Sequence, residues 1–491
     1  MLSDLLAGVG LIVAAGASGA AILLPPGRPR ALLMVAAMVL FPVLIAGDQW
    51  HATQIVDLRH DEARIAELLI LAAVVVGVLT YLFRRWPVLL PLAIVAAIPF
   101  RVPLHAGGDT ANLLVPLYLV IAAAVAATLL RDWNNPPMVH APRALAYVLA
   151  AAVALYALQA LYSDDFSKGL QNVCFFFVPF TIAYRLLREV EWDRRLLKWA
   201  LVVVGVEAAA FVVVGGAELA TRSLFWNDQI IRSNEFHTYF RVNSVFWDPN
   251  VYGRYLALVT VIATGALLWA RTRQAFWALC GLILVLWIGL VPTFSQSSFL
   301  ALLAGLAVLA AIRWSWRWTL AAVALGAIGA VLVVVLVGGS GKITSDRLNV
   351  DLSGRGSLIS GGVDLFAERP IQGYGSGSFQ AAYRDHRENK DAPVTVSHTE
   401  PVTVAAEQGL IGLFIYLALI AVALWTLGRG LWNAPPGPAG LAARAAVLAA
   451  FVALLVHTLA YAGFFEDPLT WVLLAVGASL AWAEPAVRKP A

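Results

Sequence analysis

Apolar runs near the length of a membrane span alternate with short polar connectors along almost the whole chain. A transmembrane helix needs ~20 apolar residues to cross ~30 Å of hydrocarbon. Segments approaching that length fall at 5–24, 31–47, 65–83, 87–103, 111–130, 144–162, 170–187, 196–220, 250–270, 274–292, 297–312, 318–338, 400–427, 441–463 and 469–483. The fourth carries Pro87, Pro91, Pro99 and Pro103, and the runs at 297–312 and 469–483 are short, so the pattern predicts about 12–15 spans. The first segment follows Met-Leu-Ser-Asp without a basic flank, which predicts a spanning helix and not a cleaved leader. Two connectors stand out by length, about 221–249 and 340–398.

Composition agrees with the pattern. Of 491 residues, 60% are hydrophobic and 13% are charged, and the mean hydropathy is +0.79. A soluble domain carries roughly twice that charged share. The expected class is an all-α integral membrane protein. Cys174 and Cys280 both lie inside apolar runs and predict neither a disulfide framework nor a metal site. Basic residues cluster beside the spans and form no basic-aromatic face, so no nucleic-acid partner is expected.

The placement of those basic residues predicts an orientation. One alternating set of connectors holds nineteen of the 34 Lys and Arg, among them Arg28, Arg84, Arg131, Arg185, Lys198, Arg271, Arg313, Arg429 and Arg488. The short connectors of the other set hold four: Arg59, Arg64, Arg101 and Lys168. An excess of this kind marks the cytoplasmic side. Both long connectors then lie on the outer face of a cytoplasmic (inner) membrane, with the N-terminus outside and the C-terminus inside. The expected organisation is N-terminal helices over 1–220, a first outer loop at 221–249, central helices over 250–338, a long outer loop at 339–399 and C-terminal helices over 400–491.

Most candidate chemistry falls in the long outer loop. Gly338 to Thr344 reads GGSGKIT, but Leu336 and Ile343 stand where a phosphate-binding P-loop requires Gly and Ser or Thr. Gly373 to Gly377 lacks the preceding strand of a dinucleotide fingerprint and predicts a tight turn. Asp164 and Asp165 are two adjacent carboxylates, too few for a metal site, and no metal is expected. His398 is more informative. Thr399 is placed to cap the next helix, with Pro401 in its first turn. A helix N-terminus favours a bound anion, and histidine accepts a proton near neutral pH. With the loop arginines, this suggests a phosphate-bearing substrate and a deprotonation step.

Four ordered stretches then carry a resemblance. RVNSVFWDPN (Arg241 to Asn250), TFSQSSFLALLAG (Thr293 to Gly305), SGR followed by LFAERPIQGYGSGSF, and HTEPVTVAAEQGLIG (His398 to Gly412) resemble successive signatures of the O-antigen ligase and polymerase superfamily. The resemblance covers about 241–425. It implies a many-helix glycosyltransferase of the GT-C type, without metal or other cofactor. Such an enzyme moves a glycan from a polyprenyl-diphosphate carrier, undecaprenyl diphosphate, to a glycan or glycolipid acceptor on the outer face. The family's histidine falls on His398, implied as the base. Its arginines match Arg241 and Arg355, with Arg347 a further match, implied to hold the diphosphate, and Asn250 and Glu407 would support them. Membrane lipid and polysaccharide-assembly proteins are the other partners implied. The chain departs from the pattern at Gln296, where many members have arginine, and at Thr399, where asparagine is common. A transporter of a lipid-linked glycan or other solute, and a non-catalytic scaffold for polysaccharide assembly, remain the alternative readings.

Overall fold

A computed structural model describes residues 2–52, 55–56, 59–106, 109–133, 143–225, 227–236, 239–325, 355–386, 397–431 and 439–482. Arg347 and the GGSGKIT stretch lie outside these residues. The protein is an all-α integral membrane protein. Eleven described helices are long and apolar enough to cross a membrane, and two shorter apolar helices, Ala144–Ala160 and Pro468–Ala481, join them.

In chain order the helices are α1 (Leu2–Leu23), α2 (Arg28–Asp48), α3 (Glu62–Arg85), α4 (Leu89–Ala97), α5 (Val115–Asp132) and α6 (Ala144–Ala160). Next come α7 (Phe166–Asn172), which runs through a π-turn at Val173–Phe177 into α8 (Val178–Arg188), then α9 (Arg194–Thr221) and α10 (Asp228–Phe236). Then follow α11 (Pro249–Leu268), α12 (Arg273–Leu290), α13 (Gln296–Arg313), α14 (Arg355–Glu368), α15 (Phe379–Asp385), α16 (Glu400–Gly428), α17 (Ala439–Thr458) and α18 (Pro468–Trp482). A further helical stretch covers 316–325, and the rest of the run expected at 318–338 lies outside the described residues. The segment read at 87–103 differs from expectation. Its helix covers only Leu89–Ala97, because Pro99 and Pro103 cannot continue the amide ladder. The chain turns instead into a two-stranded antiparallel ribbon, β1 (Val102–Ala106) with β2 (Asp109–Leu113).

Proline also explains the π-turn. Pro179 has no amide to give to the Phe175 carbonyl one turn back, and the helix widens there. The hydroxyl of Tyr118 on α5 donates to that freed carbonyl at 2.8 Å. A sequence breaker thus becomes an interhelical bond.

The C-terminal half is held by close backbone approach. In lipid, helices associate through small residues that let backbones meet, since lipid is as apolar as leucine. Helix α17 presents Ala445, Ala449, Ala450 and Ala453, all fully buried. It packs against Gly265 of α11 and Gly305 of α13, where an added Cβ would press on Ala446 and on Val261.

The N-terminal half is tied by buried charge. Arg30 at the start of α2 is fully buried and pairs with Asp132 at 2.6 Å and with Glu189. Arg185 pairs with Glu189 at 2.8 Å, and its Nε donates to the Ala21 carbonyl at 3.1 Å, near the end of α1. These charges stitch α1, α2, α5 and α8 at one end of the bundle. Removing one partner of a buried pair strands the other charge, at a cost of about 3–5 kcal/mol. Arg30→Ala is therefore expected to lower unfolding stability in detergent by that order. A loss under ~1 kcal/mol would show that Asp132 and Glu189 find other partners.

Candidate active site

The stretch ahead of α11 is fastened before it can present anything. Glu218 of α9, buried, accepts the amides of Asn243 (3.2 Å) and Ser244 (2.7 Å). Asn234 brackets Arg241, accepting its amide and donating to its carbonyl, both at 3.0 Å. Asp248 then caps α11 by accepting the Asn250 amide at 2.6 Å. The Arg241 guanidinium, half-buried, donates to the Thr293 carbonyl at 2.9 Å and to Asn250 Oδ1 at 3.2 Å. The structure thus brings two predicted residues, Arg241 and Asn250, into direct contact.

From Asn250 the network continues inward. Ser298 lies 3.4 Å from the Asn250 carbonyl, and His457 Nε2 sits 3.1 Å from Ser297 Oγ and 3.3 Å from Ser298 Oγ. His457 is fully buried at the end of α17. Its ring faces Tyr461, with centroids 5.9 Å apart. Tyr461 meets the His398 ring from another side at 6.3 Å, and the Arg254 guanidinium lies 6.0 Å from its ring centroid. Burial, and then Asp248 beside it, raise the Tyr461 pKa, so the phenol stays neutral. Arg254 pairs with Asp467 at 2.8 Å, both buried, while its Nε and Nη1 have no hydrogen-bond partner among the described residues. The half-buried Arg101 belongs to the same group. Burial lowers its pKa against the raising field of Asp467, with Arg254 adding to the lowering.

His398 itself stands in left-handed backbone, φ 62°. Histidine is among the side chains that tolerate this region, and such conformations cluster at functional sites. The local capping differs from expectation. Thr399 occupies the cap position of α16 and Pro401 the first turn, but the Thr399 side chain makes no capping bond. Ser397 fastens the approach to the helix. Its buried hydroxyl donates to the Thr399 carbonyl at 2.8 Å, accepts the Thr399 amide and lies 2.8 Å from Thr403 Oγ1.

Glu407 proves to be a clamp for the glycine-rich turn. Its two carboxylate oxygens accept the amides of Gly377 (2.9 Å) and Phe379 (3.1 Å). Three residues of α16 turn their carbonyls away from the helix ladder, two of them to receive that turn. The carbonyls of Ala406 and Glu407 accept Tyr374 and Gly375 amides, and the Gln408 carbonyl accepts Gln159 Nε2. The ladder can open because Gly409 adopts φ 63°, ψ −163° inside the helix. Gly373 (φ 68°) lies so close that a Cβ would overlap the Glu407 carbonyl. Glu407 and Gly409 therefore hold the loop, and α14 with it, on α16.

That docking also places Arg355. Gly362 lies against Val402, and Pro370 accepts the Leu410 amide at 2.7 Å, so α14 and α16 run parallel. Arg355 opens α14 about 10 Å before Gly362, which puts its backbone toward the level of His398. Asp164 and Asp165 are separately engaged. Asp165 caps α7 by accepting the Lys168 amide, and Asp164 pairs with Arg369 at 3.6 Å.

A predominantly helical, multi-pass membrane protein with a polar site at the loop-bearing end is thus defined by fold and geometry. The profile of the family described as O-antigen ligase matches residues 281–417. This stretch, from within α12 to within α16, falls inside the expected 241–425. The match bears out the resemblance to the O-antigen ligase and polymerase superfamily and supports that type of function in general. No curated protein matches the chain.

Proposed function

We propose that the protein is a glycosyltransferase that moves a glycan from a polyprenyl-diphosphate carrier to an acceptor hydroxyl at the outer face of the cytoplasmic membrane. The observation that carries this reading is the convergence on Tyr461. His398 reaches it from the segment just ahead of α16, and the Arg241–Asn250–Ser298–His457 network reaches it from α11, α13 and α17.

The chemistry follows from charge. The acceptor oxygen attacks the anomeric carbon, its proton passes to the His398 imidazole, and the bond from that carbon to the diphosphate oxygen breaks with inversion. The leaving diphosphate takes the electron pair and needs neutralisation more than protonation. Guanidinium stays charged and meets phosphate oxygens with a planar fork. Arg241 and Arg355, with Arg347, are assigned that part, and they stabilise charge as it develops in the transition state. Asn250 orients Arg241, and Glu407 fixes the loop that follows α14.

Donor binding separates the two roles. Arg241→Gln is expected to weaken binding of a polyprenyl-diphosphate glycan about tenfold or more, the loss of a charged hydrogen bond or two. Arg241→Lys is expected to recover only part, because a point charge lacks the fork. Equilibrium binding of a fluorescent donor to purified protein measures both. Unchanged binding in Arg241→Gln would remove Arg241 from the diphosphate site.

A further inference from the structure

The end of the bundle opposite His398 contains a feature that glycan transfer does not use. A cavity of about 440 Å³ opens between the first turn of α6, the last turn of α8 and the last turns of α16, with Arg143, Tyr184, Arg188, Trp425 and Thr426 on its wall. Helix α16, broken at Gly409, leads from Glu400 to Gly428 over roughly 40 Å of chain path, so this cavity and His398 lie at opposite ends of α16.

Four properties of the wall point to one kind of ligand. Its described lining includes two guanidinium groups and no carboxylate. Arg429 adds to the field, since burial and then the charges of Arg188 and Arg429 lower the Arg143 pKa. Helix α6 begins at this wall without a side-chain cap, and its first amides face a region where an anion is favoured. Most telling is Tyr184. It is 1% exposed, and its hydroxyl has no hydrogen-bond partner among the described residues. A buried donor left unmade is costly, and a phosphate oxygen in the cavity would satisfy it.

We infer that this cavity binds a phosphate ester, and that its source is the headgroup of an anionic glycerophospholipid in the adjoining leaflet. The surroundings suit a lipid over a soluble phosphate. Trp425 is 58% exposed beside Arg429, an aromatic-basic pair of the kind found at the membrane interface. Basic pockets between helices on the cytoplasmic side are suited to phospholipid headgroups. Leu145 and Ala478 provide the apolar part of the wall, where glycerol and the first acyl carbons would lie.

The test equilibrates full-length protein with phosphatidylcholine vesicles with or without phosphatidylglycerol. Retained lipid is then read by native mass spectrometry, and thermal stability is followed with inorganic phosphate as a soluble probe. Wild-type protein is expected to retain phosphatidylglycerol, and Arg143→Gln with Arg188→Gln to lose about tenfold or more of that affinity. Phosphatidylcholine retention should not change. Tyr184→Phe removes only an atom without a hydrogen-bond partner among the described residues, so it should fold normally and still bind more weakly. A stability shift with inorganic phosphate that the variants abolish, without phosphatidylglycerol retention, would keep the phosphate site and overturn the lipid source. Equal phosphatidylglycerol retention by wild type and all variants, with no phosphate effect, would overturn the site itself.

Discussion

His398→Ala is expected to lower the rate of glycan transfer about 10²–10⁴-fold, the range a positioned general base contributes, while donor affinity stays near that of the wild type. The separation arises because His398 acts on the acceptor proton and the arginines act on the leaving diphosphate. It should also appear in the pH profile. A base works only when deprotonated, so the wild-type rate should fall as pH drops through the imidazole range, ~6–7. In His398→Ala that acidic limb should vanish from the residual rate. His457→Gln is the informative control, since His457 is fully buried and contacts the Ser297 and Ser298 hydroxyls. If His457→Gln removed the acidic limb and His398→Ala did not, the base would be reassigned to His457. Initial rates and donor binding across pH 5 to 8 decide between them.

Gly409→Ala is expected to be the most damaging small substitution in the loop-bearing half. Its φ of 63° with ψ −163° lies in a region essentially confined to glycine, at a cost of order 1–3 kcal/mol for other residues. A Cβ would also overlap the Ile371 carbonyl oxygen. Relieving that overlap pulls the turn at 370–379 from α16 and breaks the bonds from Leu410, Tyr374 and Gly375. A stability loss of about 3 kcal/mol or more is expected, together with loss of transfer, because α14 depends on the same docking. Thermal unfolding in detergent measures the first and transfer assays the second. Stability within ~0.5 kcal/mol of wild type, with transfer retained, would show that the break in α16 is not required.

These two residues mark what sequence could and could not reveal. The length of apolar runs located nearly every span that the described residues hold, because a bilayer demands a fixed length of apolar helix. It misread 87–103, where Pro99 and Pro103 cut an apolar run short and left a nine-residue helix. His398 and Arg241 were legible as motif residues. The reason for Glu407-Gln408-Gly409 was not, since it depends on where a distant turn docks. Periodicity likewise gives no register between α11, α13 and α17, so the meeting of Arg254, His457, Tyr461 and Asp467 was missed. One signal for it was available. His457 is an ionisable residue at the end of an apolar span, and such residues are costly unless they serve a function. Arg185 taught a related lesson. It reads as part of a charged connector, yet it lies inside α8 and binds the carbonyls of Ala21 and Leu24.

The most direct measurement uses purified protein in sealed vesicles that carry a synthetic polyprenyl-diphosphate glycan and an acceptor, without added divalent metal and with a chelator present. A glycosyltransferase converts donor and acceptor into a joined glycan of inverted anomeric configuration and leaves polyprenyl diphosphate, at a rate that collapses in His398→Ala. Donor that crosses the vesicle membrane chemically unchanged would make the protein a transporter. Donor that stays intact in place, with wild type and His398→Ala indistinguishable, would leave it a scaffold and contradict the catalytic assignment of His398.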